Sequence, residues 1–274
     1  MIKILLSFVI FLPRMLFAQL EIIPAKETPL VFGGKRQTIE IVLKNPTDKS
    51  ITSELRARLY QASSATLMPV GESKPGKQLQ ILPGQTIIEN IVVDFPVVRA
   101  VTEFRIRFLA DEKLIGDFKI QVAPDDLLKQ LSALIEKTPV AILDPDNQLK
   151  PLLKKNEVES LDLEKDAGFD GFHGKLAIIG PFRSKDSVPE NLRNRVAAKR
   201  ENPFAIVWIQ PPDAKSNPLL PVYLARENGN VIVIVQNDVI AKLAESPKSQ
   251  LNLLRAVQLA LHPESLRLPE NQTF

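Results

Sequence analysis

Hydrophobic and polar residues alternate along most of the chain between residues 19 and 124. Ile39, Ile41 and Leu43 alternate with polar residues that include Thr38, Glu40 and Lys44. The same alternation returns in three later runs: residues 51–60, 103–108 and 117–122. A period of two is typical of strands with one buried face and one solvated face. With turn segments such as 45–49 between the runs, the pattern predicts about seven strands of an antiparallel β-sandwich.

The pattern changes after Pro124, where a run with helical spacing begins at Leu127. The next apolar runs do not alternate, as expected for strands that are covered on both faces. These runs are residues 140–143, 176–179, 204–209 and 231–235. Helical patterns accompany them at 148–155, 189–200 and 247–261. We therefore predict a multidomain chain, all-β over 19–124 and three-layer α/β over 125–274.

Two local signals refine the second domain. Ser246 stands directly before the last helical pattern and is expected to cap it. Asn228-Gly229 lies between two apolar runs and predicts a hairpin, so that the last two strands pair antiparallel at one edge of the sheet.

Each domain resembles a known class. Residues 19–124 resemble bacterial immunoglobulin-like domains, in which a strand ending in Asn-Pro-Thr-Asp-Lys, here 45–49, leads into the next strand. Residues 138–262 resemble class I glutamine-amidotransferase-like domains, which have a Rossmann-like fold. The similar segment is Asn-Gly-Asn-Val-Ile-Val-Ile-Val, here 228–235, followed by a closing amphipathic helix. Those enzymes attack with a cysteine, and this chain has none, so the resemblance implies a member without that chemistry.

The first 18 residues predict a cleavable signal peptide. A basic start at Lys3 precedes the apolar run 4–12, and Ala18 is the small residue expected before the cut, which would leave Gln19 first. An uncleaved anchor needs about 20 apolar residues, and Pro13 ends this run earlier. We expect a periplasmic or secreted protein without a stable membrane anchor after cleavage.

Charge and cysteine content exclude several functions. The formal net charge of +3 falls by two when Lys3 and Arg14 leave with the signal. Neither half then has the excess of basic residues that nucleic-acid binding needs. The lack of cysteine rules out disulfides, thiolate metal sites and a lipid-modified cysteine.

Four arginines are predicted to share one outer sheet face: Arg56, Arg58, Arg105 and Arg107. One interpretation is a ligand-binding patch. The other, which we favour at this stage, is a solvated face balanced by Glu54 and Glu103.

Asp144 and Asp146 follow the apolar run 140–143 and provide the main catalytic hypothesis. In magnesium-dependent phosphatases of the haloacid-dehalogenase type, an Asp-x-Asp after a buried strand supplies a nucleophile and an acid. Asp144 would attack phosphorus, Asp146 would protonate the leaving oxygen, and Asp238 would help to hold the metal. The alternative is that Asp144 or Asp146 caps the following helix.

The remaining candidates do not assemble into a site. The two histidines, His173 and His262, are too few for a zinc site without cysteine. The serines lack the Gly-x-Ser-x-Gly context of hydrolases. The leading prediction is a non-catalytic protein that needs no cofactor and binds a protein partner in the cell envelope, with an oligomeric state that the sequence does not determine.

Overall fold

The computed structural model describes residues 20–73, 76–164, 172–198, 204–214, 221–227 and 230–265. The chain forms two compact units. The first comprises residues up to 29, 36–94 and 102–121, and the second comprises 30–35, 95–101 and the chain from 122 onward. Strands alone make up the regular structure described for the first unit, whereas the second has strands and helices, so the fold is mixed β and α/β.

Nine strands are described before residue 124. They are β1 (Glu21–Ile23), β2 (Leu30–Phe32), β3 (Arg36–Lys44), β4 (Ile51–Ala62), β5 (Leu67–Val70), β6 (Lys77–Ile81), β7 (Thr86–Asp94), β8 (Thr102–Ala110) and β9 (Lys113–Ala123). The first unit has one sheet of order β1-β3-β7 and another that contains β9-β8-β4-β5, with β6 also paired to β4. β2 belongs to the second unit.

The alternation predicted from the sequence is present in both sheets of the first unit. Ile39, Ile41 and Leu43 of β3 are buried, and so are Phe104, Ile106 and Phe108 of β8. Residues between them are exposed or half-buried, which is why a period of two was visible in the sequence.

A buried asparagine organises the turn between β3 and β4. Asn45 donates from Nδ2 to the carbonyl oxygens of Lys49, Ile81 and Leu82 at 2.7, 3.0 and 3.1 Å. Its Oδ1 accepts the backbone N–H of Thr47 at 3.0 Å. The predicted turn at 45–49 is therefore held by side-chain bonds to the backbone.

The described residues of the second unit add six strands and five α-helices. The strands are β10 (Val140–Leu143), β11 (Ser160–Asp162), β12 (Leu176–Ile179), β13 (Ala205–Ile209), β14 (Val222–Glu227) and β15 (Asn230–Val235). The helices are α1 (Gln130–Leu134), α2 (Lys150–Lys155), α3 (Leu192–Ala197), α4 (Asn237–Ala241) and α5 (Pro247–Leu261). Short 3-10 turns lie at Leu127–Lys129, Lys185–Ser187 and Pro263–Ser265.

These strands form one sheet of order β11-β10-β12-β13-β15-β14. Every neighbouring pair is parallel except β14 and β15, which are antiparallel at the edge, as predicted. The turn residues Asn228 and Gly229 lie outside the described part.

Both faces of this sheet are buried, which explains the apolar runs without alternation. One face packs in a cluster with Leu131 of α1, Leu153 of α2 and Leu253 of α5. The other face packs with Leu192 and Val196 of α3. Successive strand residues join opposite clusters, so each position is apolar.

Helix boundaries agree with the sequence at some ends only. Ser246 caps α5 as predicted, because its Oγ accepts the N–H of Ser249 at 3.3 Å. The helix expected over 189–200 is shorter, Leu192–Ala197. Among the described residues, no helix combines the length and apolar character needed to cross a membrane.

Candidate functional site

Polar residues follow the parallel strands at the carboxyl edge of the second unit's sheet, where α/β domains commonly bind ligands. Asp144 follows β10, Gln210 follows β13 and Gln236 follows β15. A catalytic site at this edge would need polar groups that are exposed and not already bonded to other groups of the protein.

Asp144 is fully buried and acts as a cap for α2. Its Oδ1 accepts the N–H of Gln148 at 3.1 Å, and its Oδ2 accepts the N–H groups of Leu149 and Lys150 at 2.7 and 3.0 Å. Lys150 is the first residue of α2, and Gln148 and Leu149 lead into it, so the carboxylate satisfies amides at and just before the helix start. A carboxylate used in this way does not have a free, exposed oxygen with which to attack phosphorus, so the geometry agrees with the capping alternative.

Asp146 is held by a different partner. Its Oδ1 accepts a hydrogen bond from Nε of Arg183 at 2.6 Å, while the arginine side chain is 82% exposed. The other oxygen, Oδ2, is buried and has no hydrogen-bond partner among the described residues. This ion pair joins the loop after β10 to the loop after β12.

Asp238 is the third aspartate of the phosphatase hypothesis. It lies on α4 with its side chain exposed. Across the described ranges, no three carboxylate or histidine side chains come together as a group that could hold a metal ion. The three aspartates therefore do not form the metal centre that the phosphatase hypothesis requires.

Lys150 is a charged residue at this edge that sequence reasoning missed. Its Nζ lies 3.1 Å from Asp162 Oδ1 and 2.8 Å from Glu164 Oε1. Burial lowers the pKa of the ammonium group, but the hydrogen bonds and charges of the two acids outweigh burial and leave that pKa raised. A lysine in this state stays protonated and does not serve as a base at neutral pH.

Gln210 and Tyr223 form a second polar contact that the sequence did not indicate. Gln210 Nε2 donates to the Tyr223 hydroxyl at 2.6 Å. Burial raises the pKa of Tyr223, and the bond from Gln210 opposes that rise only in part. The phenol therefore remains neutral near pH 7.

The other residues considered in the sequence lie apart from this edge or outside the described part. His262 directly follows the last residue of α5, and His173 is exposed. Ala18 and Gln19, the predicted cleavage residues, lie outside the described residues.

A free sheet edge in the first unit is the other surface that can contact a ligand. Within the described residues, β7 pairs with β3 alone. Asn45 N bonds Gln85 O at 2.9 Å and Phe95 N bonds Lys35 O at 3.2 Å, so odd-numbered residues of β7 face β3. The backbone groups of the even-numbered residues between them point away from β3.

The side chains of these even positions are exposed, and two of them, Ile88 and Val92, are apolar with Asn90 between them. Ile88 and Val92 are 61% and 45% exposed. Ile88 lies opposite Val42, which lies opposite Ile23, so one apolar row crosses all three strands. Both charged residues of the strand are ion-paired, Glu89 with Lys77 and Asp94 with Arg36. We call the free edge and outer face of residues 86–92 the β7 surface.

Comparisons with known proteins give no family. No family model matches the chain, and no curated protein matches it. A β-glucosidase from Listeria innocua in complex with gluconolactone aligns at TM-score 0.30 and 14% identity, over 39% of this chain and 16% of that chain.

Two further solved structures are similar to the same extent. An alkylpurine DNA glycosylase from Pseudomonas fluorescens bound to DNA with an abasic site analog aligns at TM-score 0.30 and 9% identity, over 39% of this chain and 31% of that chain. A β-glucosidase from Bifidobacterium adolescentis aligns at 0.28 and 10%, over 39% and 17%. This chain thus spans less than a third of each, and likeness this small supports no conclusion about fold or function.

Proposed function

We propose that the chain is an exported, non-catalytic protein of the bacterial cell envelope that works by binding another protein. The observation that carries this proposal is the β7 surface. An edge strand of nine residues can accept an extended segment of a partner as a further strand, and uncharged side chains at positions 88, 90 and 92 leave that approach open. Native edge strands are usually protected by charges or proline at such positions.

Two observations support the non-catalytic part of the proposal. Asp144 is occupied by three backbone amides, and the absence of cysteine removes the nucleophile of the amidotransferase enzymes that the second domain resembles. A protein that acts by binding a partner needs neither a free catalytic carboxylate nor a cysteine nucleophile.

The domain families are part of the same proposal. The antiparallel sheets β1-β3-β7 and β9-β8-β4-β5 support an immunoglobulin-like assignment of the first domain. The parallel sheet with buried faces supports a Rossmann-like domain similar to class I glutamine-amidotransferase-like domains.

Export rests on residues 1–18 and has its own test. Mass spectrometry of the protein recovered from the periplasm or medium is expected to find Gln19 at the amino terminus. Recovery of the protein only from the cytoplasm, with Met1 retained, would contradict export.

Site-specific photo-crosslinking in intact cells tests the binding surface. A photoreactive amino acid at position 88 or 92 is expected to give a crosslinked product that contains a different envelope protein. The same amino acid at Met68, which is exposed on the edge strand β5, serves as the matched control and should not give that product.

Two results would contradict the proposal. One is an identical set of products from positions 88, 92 and 68. The other is products from position 88 that contain only this chain or none at all.

A further inference from the structure

Arg58 and Arg107 lie directly opposite each other on β4 and β8 of the first unit. Their neighbours in each strand, such as Ala57 and Ile106, are buried, so the two arginines share the outer face. Like charges placed opposite each other across two strands repel. The arrangement therefore needs a compensating interaction.

Tyr60 supplies part of that compensation. The guanidinium carbons of Arg58 and Arg107 lie 5.7 and 5.0 Å from the centre of its ring. Both distances allow cation–π attraction, which also restricts the guanidinium groups to one position. The ring lowers the cost of the two charges but does not neutralise them.

The flanking cations on the same face are neutralised by acids. Arg56 pairs with Glu54 at 2.8 Å and also with Glu112, and hydrogen bonding to Glu54, followed by the two negative charges, raises its pKa. Arg105 pairs with Asp117 at 2.9 Å, and that contact raises its pKa in the same way.

Arg58 and Arg107 have no such partner. Among the described residues neither makes an ion pair, and the Nε atom of each is buried without a hydrogen-bond acceptor. The balanced face expected from the sequence is therefore balanced at Arg56 and Arg105 only. Two fixed positive charges remain at its centre.

We propose that Arg58, Arg107 and Tyr60 form a binding site for the carboxylates of an acidic protein segment. Guanidinium groups bind carboxylates through paired, charge-assisted hydrogen bonds, and the ring fixes both groups before binding, which reduces the entropy lost. The site lies on an open sheet face instead of in a cavity, so it suits side chains of an extended segment better than an enclosed small anion. This site is on a different sheet from the β7 surface, so the two proposals can be tested independently.

Fluorescence anisotropy with labelled hexaglutamate tests the proposal on the purified chain from Gln19 onward. We expect saturable binding that weakens with salt, about tenfold weaker binding for Arg58→Gln or Arg107→Gln, and no detectable binding of hexaglutamine. Lys44→Gln removes the same charge from an exposed position on β3 and should change the affinity less than about twofold.

Folding of the variants is checked by thermal unfolding. Arg107→Gln removes a like-charge contact, so its Tm is expected to equal or exceed that of the unmodified chain, and a loss of binding would not reflect unfolding. Arg107→Lys keeps the charge without the paired donors and should recover only part of the affinity.

Three results would overturn the proposal. They are no binding of hexaglutamate, equal weakening by Arg107→Gln and Lys44→Gln, and inorganic phosphate binding at least as tightly as hexaglutamate. The last result would identify the site as one for a small anion instead of an acidic segment.

Discussion

Asp144 illustrates how a residue with catalytic potential can be used entirely for structure. The carboxylate lies at the first turn of α2, where the positive end of the helix favours a negative charge. Three amides bind it, and no surface of the residue is exposed. Its contribution is therefore to the stability of the second unit.

Asp144→Asn is expected to lower the free energy of unfolding of the second unit by roughly 2 kcal/mol, because a charged acceptor of buried bonds is lost. Trp208, the single tryptophan of the chain, is buried in this unit, so its fluorescence during denaturation reports the change.

Asp238→Asn is the matched control, since it makes the same chemical change at an exposed position. It should alter the free energy of unfolding by less than about 0.5 kcal/mol. Equal effects of the two substitutions would show that Asp144 is not a cap. Magnesium-dependent phosphate release that is lost in Asp144→Asn would instead favour the phosphatase hypothesis.

Glu103 offers a test of the charge network on the outer face of β8. A hydrogen bond from Lys119 is the main cause that lowers its pKa, and the Lys119 and Arg105 charges act in the same direction while partial burial opposes them. Lys119→Met should therefore raise the pKa of the Glu103 carboxyl, as measured by NMR titration. Because the pKa of Glu103 is lower in the folded protein than in the unfolded chain, its ionised form stabilises the folded protein at pH values above the unfolded-state pKa. This stabilisation is lost as the pH falls through the folded-state pKa. An unchanged pKa in the variant would contradict the pairing.

At the scale of elements, the junction after β12 depends on one glycine. Gly180 has a φ of +95°, and a Cβ there would lie 3.0 Å from the carbonyl oxygen of Ile209. Its N–H also donates to Leu143 O at 2.7 Å, which ties the junction to the end of β10. Space and backbone conformation both disfavour a side chain at this position.

Gly180→Ala is expected to destabilise the second unit by about 2 kcal/mol or more. Gly71→Ala provides the comparison, because Gly71 also has a positive φ, +66°, but has open space around it. Its cost should be about 1 kcal/mol, from the backbone alone. If chemical denaturation gives the same loss for both, crowding at Gly180 has no effect.

Elements that bury both faces were the easiest to predict. The runs 140–143 and 176–179 coincide with β10 and β12, because a doubly covered strand must be apolar throughout. β11 was missed, since its three residues, Ser160–Asp162, carry no apolar run. In the candidate site, a cap by Asp144 follows from its place before a helix, whereas the Arg183 and Asp146 pair joins residues 37 apart and depends on the sheet order.

At the scale of the whole molecule, the two units are not consecutive in sequence. Residues 30–35 and 95–101 belong to the second unit although they precede residue 124. Phe32 is buried in the same cluster as Leu127 and Leu131. The assignment of residues 30–35 and 95–101 to the second unit depends on tertiary contacts. A hydrophobic pattern along the chain does not contain these contacts, so the sequence predicted a single boundary at residue 124.

Phe32→Ala is therefore expected to destabilise the second unit by about 3 kcal/mol through the cavity that it leaves. The transition followed by Trp208 fluorescence should shift to lower denaturant. No shift of that transition would show that Phe32 does not contribute to this core. Phe118→Ala, in β9 of the first unit, is the control for a general loss of stability and should leave the Trp208 transition in place.

The central claim is that β7 binds a partner protein through its free edge. The most direct test is the Kd of the purified chain for the protein crosslinked at position 88, compared between Asn90→Pro and Asn90→Ala. Proline removes the edge N–H while alanine keeps it, so we predict at least about tenfold weaker binding for Asn90→Pro and little change for Asn90→Ala. Equal affinity of the two variants would contradict binding at this edge.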